Sequence, residues 1–189
     1  MLVDPPPDLT SHPRVVVHGV TGSGKSTLAV RLAALTGAAY VAVDDLMWRP
    51  GWVQLTPQEQ VEAITPYAER PAWVMDSLWS ATRAVVLPRT DLLVALDYPR
   101  RVSLARLVRR TVRRLFTREE LCGGNTESWR QTFSRDSILA WHVRSFGSKR
   151  SATRAWVAAA DGPPVVRFGS PHEVEAWLDT LERAHTPSR

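Results

Sequence analysis

The sequence predicts an α/β domain in which a parallel sheet is covered by helices on both faces. Two observations carry this expectation. Short apolar strands alternate along the chain with helical segments, and a glycine-rich turn joins the first strand to the first helix. A chain of 189 residues suits one domain with a sizeable core, and a hydrophobic fraction of 44% is ordinary for a globular protein. No apolar run approaches the roughly 18 residues of a membrane span.

Taken in order, Met1-Leu-Val-Asp-Pro-Pro-Pro-Asp8 lacks the basic and apolar regions of a signal peptide, so residues 1–13 are expected to be a flexible leader to a single domain over 14–189. Arg14-Val-Val-Val-His18, after Pro13, reads as a buried strand. Leu28, Leu32 and Leu35 then recur at helical spacing over 25–36, and Gly37 supplies a stop. Ala39 to Val43 reads as strand two. Thr56-Pro-Gln-Glu59 is a capping box with proline at the first helical position, opening a helix to about Glu69. Trp73-Val-Met75 is strand three, Asp91 to Asp97 strand four and Val165 to Phe168 strand five. A long basic helix is expected from Pro99, and Ser170-Pro-His-Glu173 caps the last one. More than sixty residues separate strands four and five, far more than a crossover helix needs. The stretch of about 100–160 is expected as an insertion: two long helices around the turn Gly123-Gly124-Asn125, forming an arginine-rich lid.

Gly19, Val20, Thr21, Gly22, Ser23, Gly24, Lys25 and Ser26 fit G-x-x-x-x-G-K-S/T, the P-loop, and the motif lies between a strand and a helix as it should. Its backbone N–H groups, extended by Thr27, would cradle nucleotide phosphates at a helix N-terminus. Lys25 would reach the β- and γ-phosphates of ATP, and the Ser26 hydroxyl would ligate Mg²⁺. By composition alone such a motif arises in roughly one chain in a thousand.

Net charge is +5, unevenly spread: Arg100 to Arg154 holds thirteen arginines and Lys149 against Glu119, Glu120, Glu127 and Asp136, leaving +10 there and −5 elsewhere. A polyanion-binding face and a set of phosphate-clamping arginines both fit this surplus. Arginine outnumbers lysine 22 to 2, so coding bias accounts for part of it. The single cysteine, Cys122, cannot form an internal disulfide and points to a reducing, cytoplasmic location.

Four aspartates end strands at the carboxyl edge, where open α/β sheets bind ligands. Asp76 and Asp97 each follow an apolar strand and could support a metal; Asp97 could equally favour the start of the helix that follows. Asp44 and Asp45 could hold an acceptor or form a polar turn. Trp48 and Trp52 bracket a Pro-Gly turn and could stack on a planar acceptor or plug a lid.

The stretches Asp44-x-x-x-Trp48-x-Pro-Gly-Trp52, Trp73-Val-Met-Asp76, Leu96-Asp-Tyr-Pro-Arg100 and Ser134-Arg-Asp-Ser-Ile138 together resemble the topology modulation proteins, P-loop proteins related to adenylate kinase. The resemblance spans about 14–177. It implies a three-layer nucleoside-monophosphate-kinase-like fold with a five-stranded parallel sheet in the order 2-3-1-4-5, strand three beside strand one, and hence Asp76 beside the metal. Where the family continues Asp-Gly-Asn-Tyr, this chain reads Asp76-Ser-Leu-Trp79, a departure at the acceptor side.

These readings converge on transfer of the ATP γ-phosphoryl group to a small molecule, with a nucleoside or nucleotide the acceptor class in view. Lys25 and the loop amides would hold the phosphates, Ser26 and Asp76 the Mg²⁺, and Asp44, with Asp45 and Trp48, the acceptor. Arg110, Arg114, Arg118 and Arg135 are the arginines expected to stabilise the transition state. The alternative is an NTP-binding regulator that contacts DNA through the basic segment and hydrolyses ATP slowly.

Overall fold

The computed structural model describes residues 9–117, 120–121, 125–126, 138–159 and 162–185. Its chain begins with a 3-10 turn at Leu9–Ser11, inside the stretch expected as a leader. Leu9 is only 1% exposed and belongs to the main core, so packing starts by residue 9.

Strand β1 (Arg14–Gly19) runs into the P-loop, and α1 (Lys25–Thr36) leaves it, ending at Gly37 in the left-handed conformation. Strand β2 (Ala39–Val41) stops two residues short of the expected Val43, because α2 (Val43–Leu46) begins there. The cause lies on the neighbouring strand: the Asp76 carboxylate accepts the Val43 N–H at 3.0 Å, taking a donor that would have extended the ladder. A small hairpin of β3 (Trp48–Arg49) and β4 (Val53–Gln54) follows, and α3 (Pro57–Ala68) begins at the expected capping box, in which the Glu59 N–H donates to the Thr56 hydroxyl and the Thr56 N–H to the Glu59 carboxylate.

After β5 (Trp73–Met75) comes a one-turn helix, α4 (Arg83–Val86), which the sequence pattern did not announce. Strand β6 (Leu92–Leu96) leads to α5 (Arg100–Thr117), and a two-residue pairing of β7 (Glu120–Leu121) with β8 (Asn125–Thr126) follows. The fold ends with α6 (Ile138–Ala158), β9 (Val165–Phe168) and α7 (Pro171–His185). The Gly123-Gly124 part of the expected turn and Cys122 lie outside the described residues.

The main sheet is fully parallel, in the order β2-β5-β1-β6-β9. Counted as sheet strands along the chain, that is 2-3-1-4-5. Alternation sorts the side chains into two layers. Val15, Val17, Val74, Leu92 and Val94 meet α1 and α7 on one face. Val16, Val41, Trp73 and Met75 meet α3 on the other, where Leu93, Ala95 and Val165 meet Trp156 and Val157 of α6. No helix among the described residues is long and apolar enough to cross a membrane.

Candidate active site

The glycine-rich loop over 19–26 is shaped by what its glycines leave out. Gly22 has φ +81°, and a Cβ there would collide with the Ser103 carbonyl and Leu107 of α5, so this helix lies directly over the loop. Gly19 approaches the Leu96 backbone and the Ser23 hydroxyl too closely for a side chain. Gly24, the N-cap of α1, provides no side-chain cap, so the first turn keeps its N–H groups for an anion. The Lys25 ammonium donates to the Val20 carbonyl at 3.1 Å, and Ser26 and Thr27 are exposed at the helix start. Burial pushes the Lys25 pKa down to about 8, aided by the charge of Lys149 and opposed by Asp44 and Asp76.

A cleft of about 340 Å³ opens over the loop between α1, α5 and α7. Arg110 lines it, as does Arg106, whose guanidinium donates to the Ser23 carbonyl at 3.2 Å and lies 5.8 Å from the Tyr98 ring. Arg114 lies on α5 but not in this cleft. Arg118 and Arg135 lie outside the described residues.

Topology by itself does not choose between Asp76 and Asp97, since β5 and β6 both flank β1. Pleating does. Asp76 shares its face with Val74 and Tyr40, toward α1, whereas Asp97 shares its face with Ala95, toward α6. The buried Asp76 carboxylate accepts from the Tyr40 hydroxyl at 2.9 Å and from Val43 N–H. The pKa of this phenol is raised by burial and then by the Asp76 charge, and Ser26 acts on it in the opposite direction. Ser26 and Asp76 both act on this phenol, and together they would offer the oxygen donors that suit Mg²⁺. Among the described residues no group of three or more His, Cys, Asp or Glu could hold a metal, so phosphate oxygens and water would complete the shell. Asp97 is buried too, but its oxygens meet Arg150 at 2.6 Å, Arg167 at 3.3 Å and Arg154 at 3.9 Å.

Asp44 and Asp45 are exposed on α2. The Trp79 indole N–H donates to Asp44 Oδ1 at 2.8 Å, and the second oxygen takes no hydrogen bond among the described residues. The charge of Asp44 acts on Lys25 and Lys149, whereas that of Asp45 acts on Tyr40. Trp48 packs edge-on against Trp52 at 5.8 Å and Trp79 at 5.9 Å, so its ring belongs to an aromatic wall. Trp52 sits in that turn with φ +60°, a strained conformation for a bulky residue.

Five residues at this site escaped the sequence reading. Tyr40 and Arg106 carried no pattern. Trp79 was visible only as a departure from the family stretch. His142 ties α6 to the loop, with Nδ1 3.1 Å from the Thr21 carbonyl and Nε2 3.5 Å from the Ser103 hydroxyl. Burial lowers its pKa, so the ring is held neutral. Lys149 could have been flagged, because it is one of only two lysines in the chain and both face Asp44.

No protein-family model and no curated protein matches the sequence. Solved structures do. The chain is similar over 93% of its length to shikimate kinase from Acinetobacter baumannii in complex with shikimate, covering 94% of that chain at 14% identity and a TM-score of 0.59. It is similar over 91% to a gluconokinase from Sinorhizobium meliloti 1021, covering 93% of it at 20% identity and a TM-score of 0.51. Deoxyadenosine kinase from M. mycoides with bound dCTP matches over 90% of this chain and 99% of its own, at 11% identity and a TM-score of 0.50. The chain therefore has the fold of small-molecule P-loop kinases.

Proposed function

We propose that the protein transfers the γ-phosphoryl group of ATP·Mg²⁺ to a hydroxyl of a small molecule, a nucleoside or nucleotide being the acceptor class first in view. The observation that carries this reading is the juxtaposition of an uncapped P-loop helix and Lys25 with a carboxylate, Asp44, that has one oxygen fixed by Trp79 and one open. Asp44 would take the proton of the acceptor hydroxyl while that oxygen forms its bond to the γ-phosphorus. The bond from phosphorus to the β,γ-bridging oxygen breaks, its electron pair leaves with ADP, and the loop amides and Lys25 hold the charge. Ser26 and Asp76 would hold Mg²⁺, which supplies neutralisation of phosphate charge. Arg110, with Arg114, Arg118 and Arg135, would clamp the transferring group, and Arg106 would border the nucleotide.

The DNA-binding alternative drew on the surplus of +10 over 100–154. Within that segment Arg106 is engaged by the loop carbonyl, and Arg150 and Arg154 by Asp97, which favours the phosphotransferase reading. The test is ADP release from ATP·Mg²⁺ against a panel of nucleosides, nucleotides and polyols. Lys25→Ala is expected to remove a contact of ~1.5–3 kcal/mol and with it most turnover. Wild-type affinity and turnover in that variant would overturn the reading, as would salt-sensitive binding of duplex DNA without any acceptor-dependent ADP release.

A further inference from the structure

On the α6 face of the sheet edge, three nitrogen-bearing side chains converge with no carboxylate at ion-pair distance from them among the described residues. His18, the last residue before the loop glycine, is 5% exposed, and its Nε2 has no hydrogen-bond partner among the described residues. Its ring stands edge-on to Trp156 at 4.6 Å. Arg83, opening α4, lies over the same indole at 5.3 Å, and its buried Nε likewise has no partner among the described residues. Lys149 comes from the stripe His142, Ser145, Lys149, Thr153 and Trp156, which recurs at helical spacing along the inner face of α6. One end of that stripe touches Thr21 of the loop and the other touches His18, so Lys149 lies between them. The Lys149 charge and backbone both act on the His18 ring, which places the two residues close together. Among the described residues the Lys149 ammonium and the Arg83 guanidinium have no carboxylate within ion-pair distance, while the nearby Asp97 is already committed to Arg150, Arg154 and Arg167.

Partly buried cations and orphaned nitrogens cost stability unless a counter-charge reaches them. Burial, with the charges of Lys25, Lys149 and Arg83, pushes the His18 pKa down to about 3, so the ring stays neutral and adds a hydrogen-bonding edge without another charge. Asp44 acts on Lys149 from the acceptor side and leaves one oxygen open. A hydroxyl at Asp44 and an anion at Arg83 and Lys149 would be parts of one molecule.

We infer that Arg83, Lys149 and His18 form an anion subsite beside Asp44, so that the acceptor is a hydroxyl compound that itself carries a carboxylate or phosphate. The inference rests on the phosphotransferase reading for its reaction, and it narrows the acceptor from neutral nucleosides and polyols to their acidic counterparts. Arg83 would grip the anion, Lys149 would neutralise it between loop and α6, and His18 would fix its orientation.

Matched pairs test it: gluconate against glucitol, glycerate against glycerol, and thymidine 5′-monophosphate against thymidine, each assayed for ADP release from ATP·Mg²⁺. At least one acid should exceed its neutral partner in kcat/KM by tenfold or more. Arg83→Gln and Lys149→Met should each raise KM for that acid at least tenfold, with a much smaller effect on any neutral compound that turns over. The carboxylates and the monophosphate separate the two sources of the anion. Preference for neutral members, or equal KM shifts for acid and neutral members, overturns the subsite and leaves the kinase reading standing. If nothing is phosphorylated, that reading falls, and the subsite is decided by binding. The same acids, added to protein saturated with ADP·Mg²⁺, should raise the unfolding midpoint of wild type but not of Arg83→Gln; no rise in wild type overturns the inference.

Discussion

On the α1 side of the sheet's carboxyl edge, Asp76 meets a phenol and a backbone amide; on the α6 side, Asp97 meets three guanidinium groups. Both follow apolar strands, both are buried, and both strands flank β1. Their partners decide what each can do. Each oxygen of Asp76 accepts one hydrogen bond from a neutral donor, which suits the metal-supporting role proposed for it. The environment of Asp97 spends its charge on holding α6 and β9 to the end of β6. Strand-end position thus marks candidates, and pleating assigns their faces.

The largest expected effect separates the two acids by reaction. Asp76→Asn should lower kcat by about a hundredfold and raise the Mg²⁺ concentration needed for half-maximal rate, because one source of negative charge beside the phosphates is removed. Asp97→Asn should leave the Mg²⁺ dependence where it is. A Mg²⁺ shift in Asp97→Asn alone would reverse the assignment.

Next comes stability, where the order inverts. Removing the charge of Asp97 leaves partly buried Arg150 next to Arg154 and Arg167 without compensation. A loss of about 3 kcal/mol is expected for Asp97→Asn in urea unfolding, and less for Asp76→Asn, whose amide oxygen can still accept one hydrogen bond. Equal losses in the two variants would remove the contrast.

The contrast also shows which parts of the molecule local sequence could disclose. The P-loop, α1 with its Gly37 stop and the capping boxes at Thr56 and Ser170 rest on contacts within a few residues, and they were legible. The apolar strands were legible because their period is local too. Helices α2 and α4 have four residues each, too few to show a period, and β2 ended early through a side chain 33 residues away. Within the candidate site, Lys25, Ser26, Asp44 and Asp76 lay on motifs or strand ends. Tyr40, Trp79, Arg83 and Lys149 are brought in by tertiary packing, which spacing along the chain does not encode. The face each acid presents was available in principle from alternation: Asp76 has the parity of Val74, and Asp97 that of Ala95.

A smaller effect probes the acceptor side. Trp79→Phe keeps the aromatic contact with Trp48 but loses the N–H that fixes Asp44 Oδ1. One neutral donor to a carboxylate is worth about 1.4 kcal/mol, so kcat should fall about tenfold with ATP affinity little changed. Wild-type kcat in Trp79→Phe would mean that Asp44 is positioned by something else.

The smallest effect uses the other end of β6 as a control. Asp91 stands just before that strand and accepts from Arg14 N–H at 3.0 Å, Nε at 3.0 Å and Nη2 at 2.8 Å, a fork across the edge opposite the loop. The Arg14 hydrogen bond holds the Asp91 pKa below the ordinary carboxylate value despite partial burial. The sign follows: a carboxyl with a lowered pKa in the folded state contributes stability above its unfolded pKa of about 3.9, and loses it as pH falls through the folded value. Both side chains retain solvent contact, so the contribution is about 1 kcal/mol at pH 7. Asp91→Asn should therefore be less stable than wild type by that amount at pH 7, and the difference should shrink once the pH drops below about 4. Its kcat and Mg²⁺ dependence should match wild type, because Asp91 and Arg14 lie at the opposite end of the strands from the loop. Equal stability of Asp91→Asn and wild type at pH 7 would mean that this fork adds nothing to the fold. A change in Mg²⁺ dependence on removing Asp91 would show that any acid flanking β6 can disturb the site, and the separate roles proposed for Asp76 and Asp97 would then need another cause.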